Sequence, residues 1–276
     1  MIWALLVGLL LGIGFLLDRE VYFYEGVHLG PRVQAWLYDR WSKKYDEGKR
    51  ASQLQDDEML AKPLLDALGN ISAPFVLDFA TGTGRLSCAL LNRPEFKGHI
   101  IALDLSQGML EQAASKLGRY QSAASVALLR HPSLPLPFPD NAFDVVCALE
   151  VLELFPSMEE PLRELGRVLR PGGILLTSRG TEASGRKARI KSKHELAALL
   201  ETHEFSKIEV TRWWRLFDRV LAVKTGKSLP VGSPRLADIL RCASCGATAW
   251  QKLPGLWKCA VCGVEKPVTT SGILLN

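Results

Sequence analysis

The sequence predicts an α/β fold, a mostly parallel sheet with helices on both faces, on two observations. From residue 71 onward, short apolar runs alternate with segments of helical periodicity. The first of these runs, Phe75-Val-Leu-Asp-Phe79, feeds into Ala-Thr-Gly-Thr-Gly84 and then into a helix with Leu86, Ala89 and Leu90 on one face. Gly82 and Gly84 let the backbone turn sharply and approach a ligand, and the helix start points its amides at whatever occupies the turn.

Taken in order, the apolar runs place strands near 75–79, 99–104, 125–130, 143–148, 173–178, 206–211 and 216–224. Helices are expected near 84–92, 107–119, 158–169 and 193–203. Ser157-x-x-Glu160 and Ser192-x-x-Glu195 read as capping boxes that open the last two helices. The short connection Arg212-Trp-Trp-Arg215 between the last two runs predicts an antiparallel final strand. Ahead of the sheet, Pro31 can start a helix on which Val33, Trp36, Leu37 and Trp41 recur at helical spacing. With 47% apolar residues and a net charge of +5, the chain can bury a full core. It lacks the dense basic patch expected of a dedicated nucleic-acid binder.

The turn carries the chemistry. A second acid, Asp104, closes the run His99-Ile-Ile-Ala-Leu-Asp, about 20 residues after the turn, the spacing that suits ribose hydroxyls. A dinucleotide site wants a third glycine where this chain has Ser87, and pyrophosphate would be repelled by Asp78 at the mouth of the turn. S-adenosylmethionine carries an ammonium and a sulfonium and no phosphate. The sequence therefore favours it over NAD.

These residues resemble the class I S-adenosylmethionine-dependent methyltransferases of the ubiquinone/menaquinone-biosynthesis-like branch. The resemblance extends to Leu136-Pro-Phe-Pro-Asp-Asn-Ala-Phe-Asp-Val-Val, Leu149-Glu-Val-Leu and Leu165-Gly-Arg-Val-Leu-Arg-Pro-Gly-Gly-Ile-Leu. It implies a Rossmann-like seven-stranded methyltransferase sheet. It also implies a cofactor held by Asp78, Ala80, Thr81, Gly82, Gly84, Asp104, Leu105 and Leu149, with Tyr45 closing on the methionyl end from a helical lid. Ala80 stands where the family usually has its first glycine. The acid that the family often places near the adenine is absent from Arg130-His-Pro-Ser-Leu-Pro135, which leaves Ser133, His131 or backbone for that contact. Glu150 and Glu153 fall where an acceptor would sit, but no general base can be assigned.

Residues 2–17 contain no charge and would span roughly 25 Å as a helix. They read as a membrane anchor, with a cleaved signal or a buried helix as alternatives. The cations that follow, Arg32, Arg40, Lys43, Lys44, Lys49 and Arg50, would place the catalytic part on the cytoplasmic side of a single-pass protein. The basic residues between Arg179 and Lys193 read as a solvated loop or a contact for anionic lipid headgroups.

After a linker at 226–235, Cys242-x-x-Cys245-Gly and Cys259-x-x-Cys262-Gly form two knuckles, a pattern that points to one tetrahedral zinc ion, with a disulfide framework or a rubredoxin-like iron site as the alternatives. Leu236-Ala-Asp-Ile-Leu-Arg-Cys242 and Lys266-Pro-Val-Thr-Thr-Ser-Gly-Ile-Leu-Leu275 resemble the small zinc ribbons of the tRNA-methyltransferase-activator type. That resemblance implies a ribbon that supports a methyltransferase domain, here in cis. The expected organisation is an anchor (1–17), a lid segment (18–70), a methyltransferase domain (71–225), the linker and a zinc ribbon (236–276). The expected activity is methyl transfer from S-adenosylmethionine to a lipid, quinone or other hydrophobic small molecule. An RNA or protein methyltransferase, or a non-catalytic cofactor-binding scaffold, is the alternative.

Overall fold

The computed structural model describes residues 2–71, 73–120, 125–132, 134–184 and 190–276. Four helices and seven strands form the body that the sequence predicts: β1 (Phe75–Phe79), α4 (Arg85–Leu91), β2 (His99–Asp104), α5 (Gln107–Leu117), β3 (Ser125–Arg130), β4 (Phe143–Ala148), α6 (Glu159–Val168), β5 (Leu169–Gly180), α7 (Lys193–Thr202), β6 (Phe205–Trp214) and β7 (Phe217–Lys224). Before them come α1 (Ile2–Tyr22), α2 (Pro31–Gln53) and α3 (Lys62–Leu68). After them come a short α8 (Leu236–Ile239) and four small strands, β8 (Trp250–Leu253), β9 (Leu256–Cys259), β10 (Glu265–Pro267) and β11 (Ile273–Leu275).

The main sheet has eight strands in the order β11-β3-β2-β1-β4-β5-β7-β6. All neighbours from β11 to β5 pair in parallel, and β7 runs antiparallel to both β5 and β6. The expected seven strands are present, and the eighth comes from the tail. Ile273, Leu274 and Leu275 lie beside Leu128, Leu129 and Arg130 of β3. The tail is thus stitched into the sheet.

β1 and β4 are buried along their whole length, and period-two alternation splits the core between two faces. Phe75, Leu77, Phe143, Val146 and Leu175 face Leu162, Leu165, Leu196 and Leu200 of α6 and α7, joined by Leu236, Ile239 and Leu240 from the tail. Val76, Ile100, Val145 and Cys147 face Leu64, Leu86, Leu90 and Leu110 of α3, α4 and α5. The chain builds outward from β1 through β2 to β3 and then restarts at β4 on the other side. The strand order therefore reverses between β1 and β4, and a crevice opens past their C-terminal ends.

Three expectations need correction. Among the described residues no helix is long and apolar enough to cross a membrane. The uncharged run of α1 falls a few ångströms short of a ~30 Å hydrocarbon core, and Asp18, Arg19 and Glu20 follow inside the same helix. The anchor and the single-pass placement with a cytoplasmic catalytic domain fall with it. Second, Ser192 and Glu195 form their capping box, but Ser157 and Glu160 do not. Met158 is already helical at the N-cap position, so the Ser157 hydroxyl reaches only the Glu159 amide. Third, β6 continues through Trp214, which moves the turn to Arg215-Leu216. Part of the basic segment between Arg179 and Lys193, residues 185–189, lies outside the described residues.

Candidate cofactor cleft and cysteine cluster

The turn after β1 is held from beneath. Ala80, Gly82 and Gly84 all have positive φ (55°, 57° and 79°), and the Thr81 amide donates to the Leu103 carbonyl at 3.0 Å, tying the turn to β2. Ala80 departs from glycine at a left-handed position, a strain of about 1 kcal/mol that the surrounding structure must absorb. A Cβ at Gly84 would meet the Ala113 side chain at 3.2 Å, so glycine is what lets the turn sit on α5.

The two acids have different roles. Asp78 Oδ2 accepts the Thr81 and Ser87 hydroxyls, each at 2.7 Å, so this buried carboxylate fastens the turn to the start of α4. Burial pushes its carboxyl above the usual range. Asp104 accepts one backbone amide on each oxygen, from Gly82 on Oδ2 and Ser106 on Oδ1, both at 2.8 Å. Burial pushes the Asp104 carboxyl up to about 6, against the pull of those amides. Of the two, Asp104 is the one that lines the open cleft.

α2 covers that cleft with Gln34, Tyr38 and Tyr45. Two aspartates latch it, and the sequence reading missed both. Asp39 Oδ1 accepts the Ser106 hydroxyl at 2.6 Å and the Gly108 amide at 2.7 Å. Asp46 accepts the Thr83 hydroxyl at 2.6 Å and the Lys116 ammonium at 2.8 Å. They stand seven residues apart, two turns on one face, and that spacing is the only sequence signal of their shared role. Burial keeps the phenols of Tyr38 and Tyr45 protonated well past the ordinary tyrosine range.

Beside Tyr45 sits a charged cluster. Glu150, at φ 56°, receives Lys49 on one oxygen and Arg85 Nη1 on the other, the latter at 2.9 Å. Arg85 also makes a fork to Asp56 and lies 4.3 Å over the Trp213 ring. Glu153 is buried, accepting the Gly180 amide at 2.7 Å, and so holds the end of β5. Both glutamates are held in these contacts.

Ala80, Gly82, Asp104, Leu105, Leu149 and Tyr45 all line one cleft that opens to solvent. Thr81 and Asp78 lie in the adjoining recess with Lys49, Arg85 and Glu150. Gly84 stands outside both as the hinge of the turn. Ser133 lies outside the described residues. Past Asp104 the wall is Leu105, Met109 and His131, and across from it Phe79, Val151, Leu154 and Phe155 make an apolar rim.

In the tail the four cysteines converge. Their sulfurs all lie within 4.8 Å of one another, with Cys242–Cys262 and Cys245–Cys259 at 3.6 Å. Four thiolates at ~2.3 Å from one tetrahedral ion sit about 3.8 Å apart, so the donor set fits such an ion. The sulfurs are too far apart for disulfides, and all four cysteines are free. The knuckles match in detail: the Gly246 and Gly263 amides return to the Cys242 and Cys259 carbonyls at 2.8 and 2.9 Å.

Residues 77–177, which contain the turn, Asp104 and Glu150, match the family model described as a methyltransferase domain. This part of the chain is a methyltransferase domain. A demethylmenaquinone methyltransferase from Lactiplantibacillus plantarum is 34% identical over 140 residues, 51% of this chain and 59% of that protein. The chain thus spans between half and two thirds of the curated relatives it matches. Among solved structures, a SAM-dependent methyltransferase from Aquifex aeolicus shares the fold of the domain at 21% identity, with a TM-score of 0.54 over 67% of this chain and 97% of that one. So does a chain from the complex between the Haloferax volcanii Trm112 methyltransferase activator and a methyltransferase. It is 18% identical, with a TM-score of 0.52 over 70% of this chain and 97% of its own. In this methyltransferase domain the cleft lies at the strand-order reversal, where the glycine turn and Asp104 meet.

Proposed function

We propose that this chain transfers a methyl group from S-adenosylmethionine to a hydrophobic, quinone-like small molecule. The observation that carries the cofactor assignment is the Asp104 carboxylate, fixed by the Gly82 and Ser106 amides at the cleft wall with lone pairs left for a ribose diol. The ribose would sit at Asp104, the base toward His131, and the methionyl end over Gly82 near Tyr45.

When bound, the cofactor supplies an electrophilic methyl on sulfonium. Transfer would exchange that carbon–sulfur bond for a bond to the acceptor, whose proton would leave to water at the open side of the cleft. The chain's part is to align the two reactants and exclude bulk water, which can contribute about 7–11 kcal/mol. The apolar rim of Phe79, Val151, Leu154 and Phe155 suits a flat, weakly polar acceptor and agrees with the activity of the menaquinone-pathway relatives. Trp250 and Trp257 are partly buried against the core, and the Trp250 indole donates to the Leu240 carbonyl at 2.7 Å. Both rings thus take part in packing the tail onto the core.

We also assign the Cys242, Cys245, Cys259 and Cys262 cluster to zinc. Four thiolates would close the coordination sphere, which makes the role structural.

The deciding experiment offers the purified protein labelled S-adenosylmethionine with demethylmenaquinone, bulk RNA or a protein extract in parallel. Methylated quinone is the expected product. Label in RNA or protein alone would replace the acceptor assignment. Failure to bind S-adenosylmethionine by calorimetry would overturn the cofactor assignment itself.

A further inference from the structure

The cleft face of α2 follows the path between the two reactants. Gln34, Tyr38 and Tyr45 line the cleft at helical spacing. The Gln34 side chain donates to the Leu154 carbonyl at 3.3 Å, which sets this end of the face on the apolar rim. Tyr45 stands at the other end, in the recess with Lys49, Arg85 and Glu150. Tyr38 comes one turn after Gln34, and its ring centre is 6.3 Å from that of Tyr45. It therefore sits between the rim assigned to the acceptor and the end assigned to the methionyl group, where a methyl would change hands.

An acid from another part of the chain orients this phenol. The Tyr38 hydroxyl donates to Glu25 Oε2, in the turn that joins α1 to α2. Glu25 and Gly26 have φ of 55° and 76°, and a Cβ at Gly26 would meet the Leu37 side chain at 3.0 Å. The turn is thus pressed onto α2 and delivers the half-buried carboxylate to the phenol. A phenol that gives its proton to a carboxylate keeps lone pairs with which to accept another. Burial, then the Tyr45 phenol and the Asp104 and Glu150 carboxylates, all on the cleft wall, hold Tyr38 in its protonated form. Both residues precede the segment 77–177 that matches the methyltransferase family.

Resting on the acceptor reading above, we propose that Tyr38 and Glu25 form a proton relay for an acceptor that carries a ring hydroxyl. The acceptor's O–H proton passes to the Tyr38 oxygen while the Tyr38 proton passes to the Glu25 carboxylate, which releases it to water. The O–H bonding pair stays with the acceptor and makes its ring the nucleophile that takes the methyl in exchange for the carbon–sulfur bond. Tyr38 is then a catalytic residue, and Glu25 acts through it.

The test is steady-state kinetics of the full chain with dithionite-reduced demethylmenaquinone, beside calorimetry with S-adenosylhomocysteine. Tyr38→Phe should lower kcat by about a hundredfold or more, the scale of a lost proton transfer. KM and the S-adenosylhomocysteine affinity should stay within about twofold, because only the transition state loses the contact. Glu25→Gln still accepts the Tyr38 hydrogen bond but cannot take the proton. It should lose kcat as Tyr38→Phe does at an unchanged melting temperature, which a merely structural role would not allow. The double variant should lose no more than either single one, since the two act as a unit. Full kcat in Glu25→Gln, or losses that multiply in the double variant, would overturn the relay alone. So would a tenfold loss of S-adenosylhomocysteine affinity in Tyr38→Phe, which would make Tyr38 a cofactor contact. If the natural sequence binds S-adenosylhomocysteine but methylates no reduced quinone, the acceptor reading falls and the relay with it.

Discussion

The Asp104 carboxylate accepts the Gly82 amide at 2.8 Å, so the acid that ends β2 also fixes the glycine turn that follows β1. A single side chain thus shapes the turn and presents the ribose acceptor. Asp104→Ala should cost about 1.5–3 kcal/mol of S-adenosylmethionine affinity, the value of a charge-assisted pair. Calorimetry reads this directly, and Asp104→Asn separates the two roles. The amide can still accept from Gly82 but offers one acceptor where the carboxylate had two. Unchanged affinity in both variants would remove Asp104 from the site.

Affinity should also depend on pH through the same group. Burial raises the Asp104 carboxyl to about 6, and a ribose diol needs the ionised form. Below that value the free protein holds a proton that binding must expel, so affinity should fall by up to about tenfold per pH unit on acidification and level off above neutrality. The folding contribution has the opposite sign. A carboxyl whose folded pKa is raised favours the native state between the ordinary carboxylate range and about 6 only while protonated, and that contribution fades as pH rises through the window. Binding isotherms from pH 5 to 8 check the first statement and urea melts check the second.

Much of the sheet was legible because its strands are short apolar runs with sharp ends, buried throughout in β1 and β4. Phe75–Phe79, His99–Asp104, Ser125–Arg130 and Phe143–Ala148 are read at their observed bounds. The Ser192/Glu195 box was legible for the same local reason. What failed was non-local. Ile273–Leu275 looks like any short apolar run, and nothing in those residues says that β3 is the partner. Asp39 and Asp46 read as lid-helix surface until Ser106, Gly108, Thr83 and Lys116 are placed opposite them. The apolar run of residues 2–17 reports hydropathy without fixing what covers it, and the charges at Asp18, Arg19 and Glu20 limit its span.

Arg85 should be a stability determinant as well as a wall of the recess beside the cleft. Its side chain is 13% exposed and bridges Asp56 and Glu150, at 6% and 10%. Arg85→Ala leaves the Asp56 carboxylate without its fork and should destabilise the protein by about 3 kcal/mol, because removing one partner strands a desolvated charge. Lys49 still holds Glu150, which limits the loss. Urea denaturation measures it, with the more solvated Arg93 cluster on Asp57 and Glu58 as the control in which alanine should change little. Equal effects at the two sites would mean that the Arg85 network is solvated.

The cysteine cluster should stabilise more than the tail. Removing one thiolate by Cys259→Ser should drop metal content, since four donors at this spacing are what a closed site requires. The consequence should travel along the chain. β9 ends at Cys259, β10 pairs with β9, and the segment after β10 carries β11 into the main sheet. Without the metal, β11 should detach, and Leu128–Arg130 of β3 should become the exposed edge. Hydrogen exchange should therefore accelerate at Ile273–Leu275 and on β3 together, while β1 and β4 at the centre of the sheet keep their protection. Fast exchange confined to the knuckles would show that the tail strand holds its place without the metal. Unchanged metal content in Cys259→Ser would remove that residue from the ligand set.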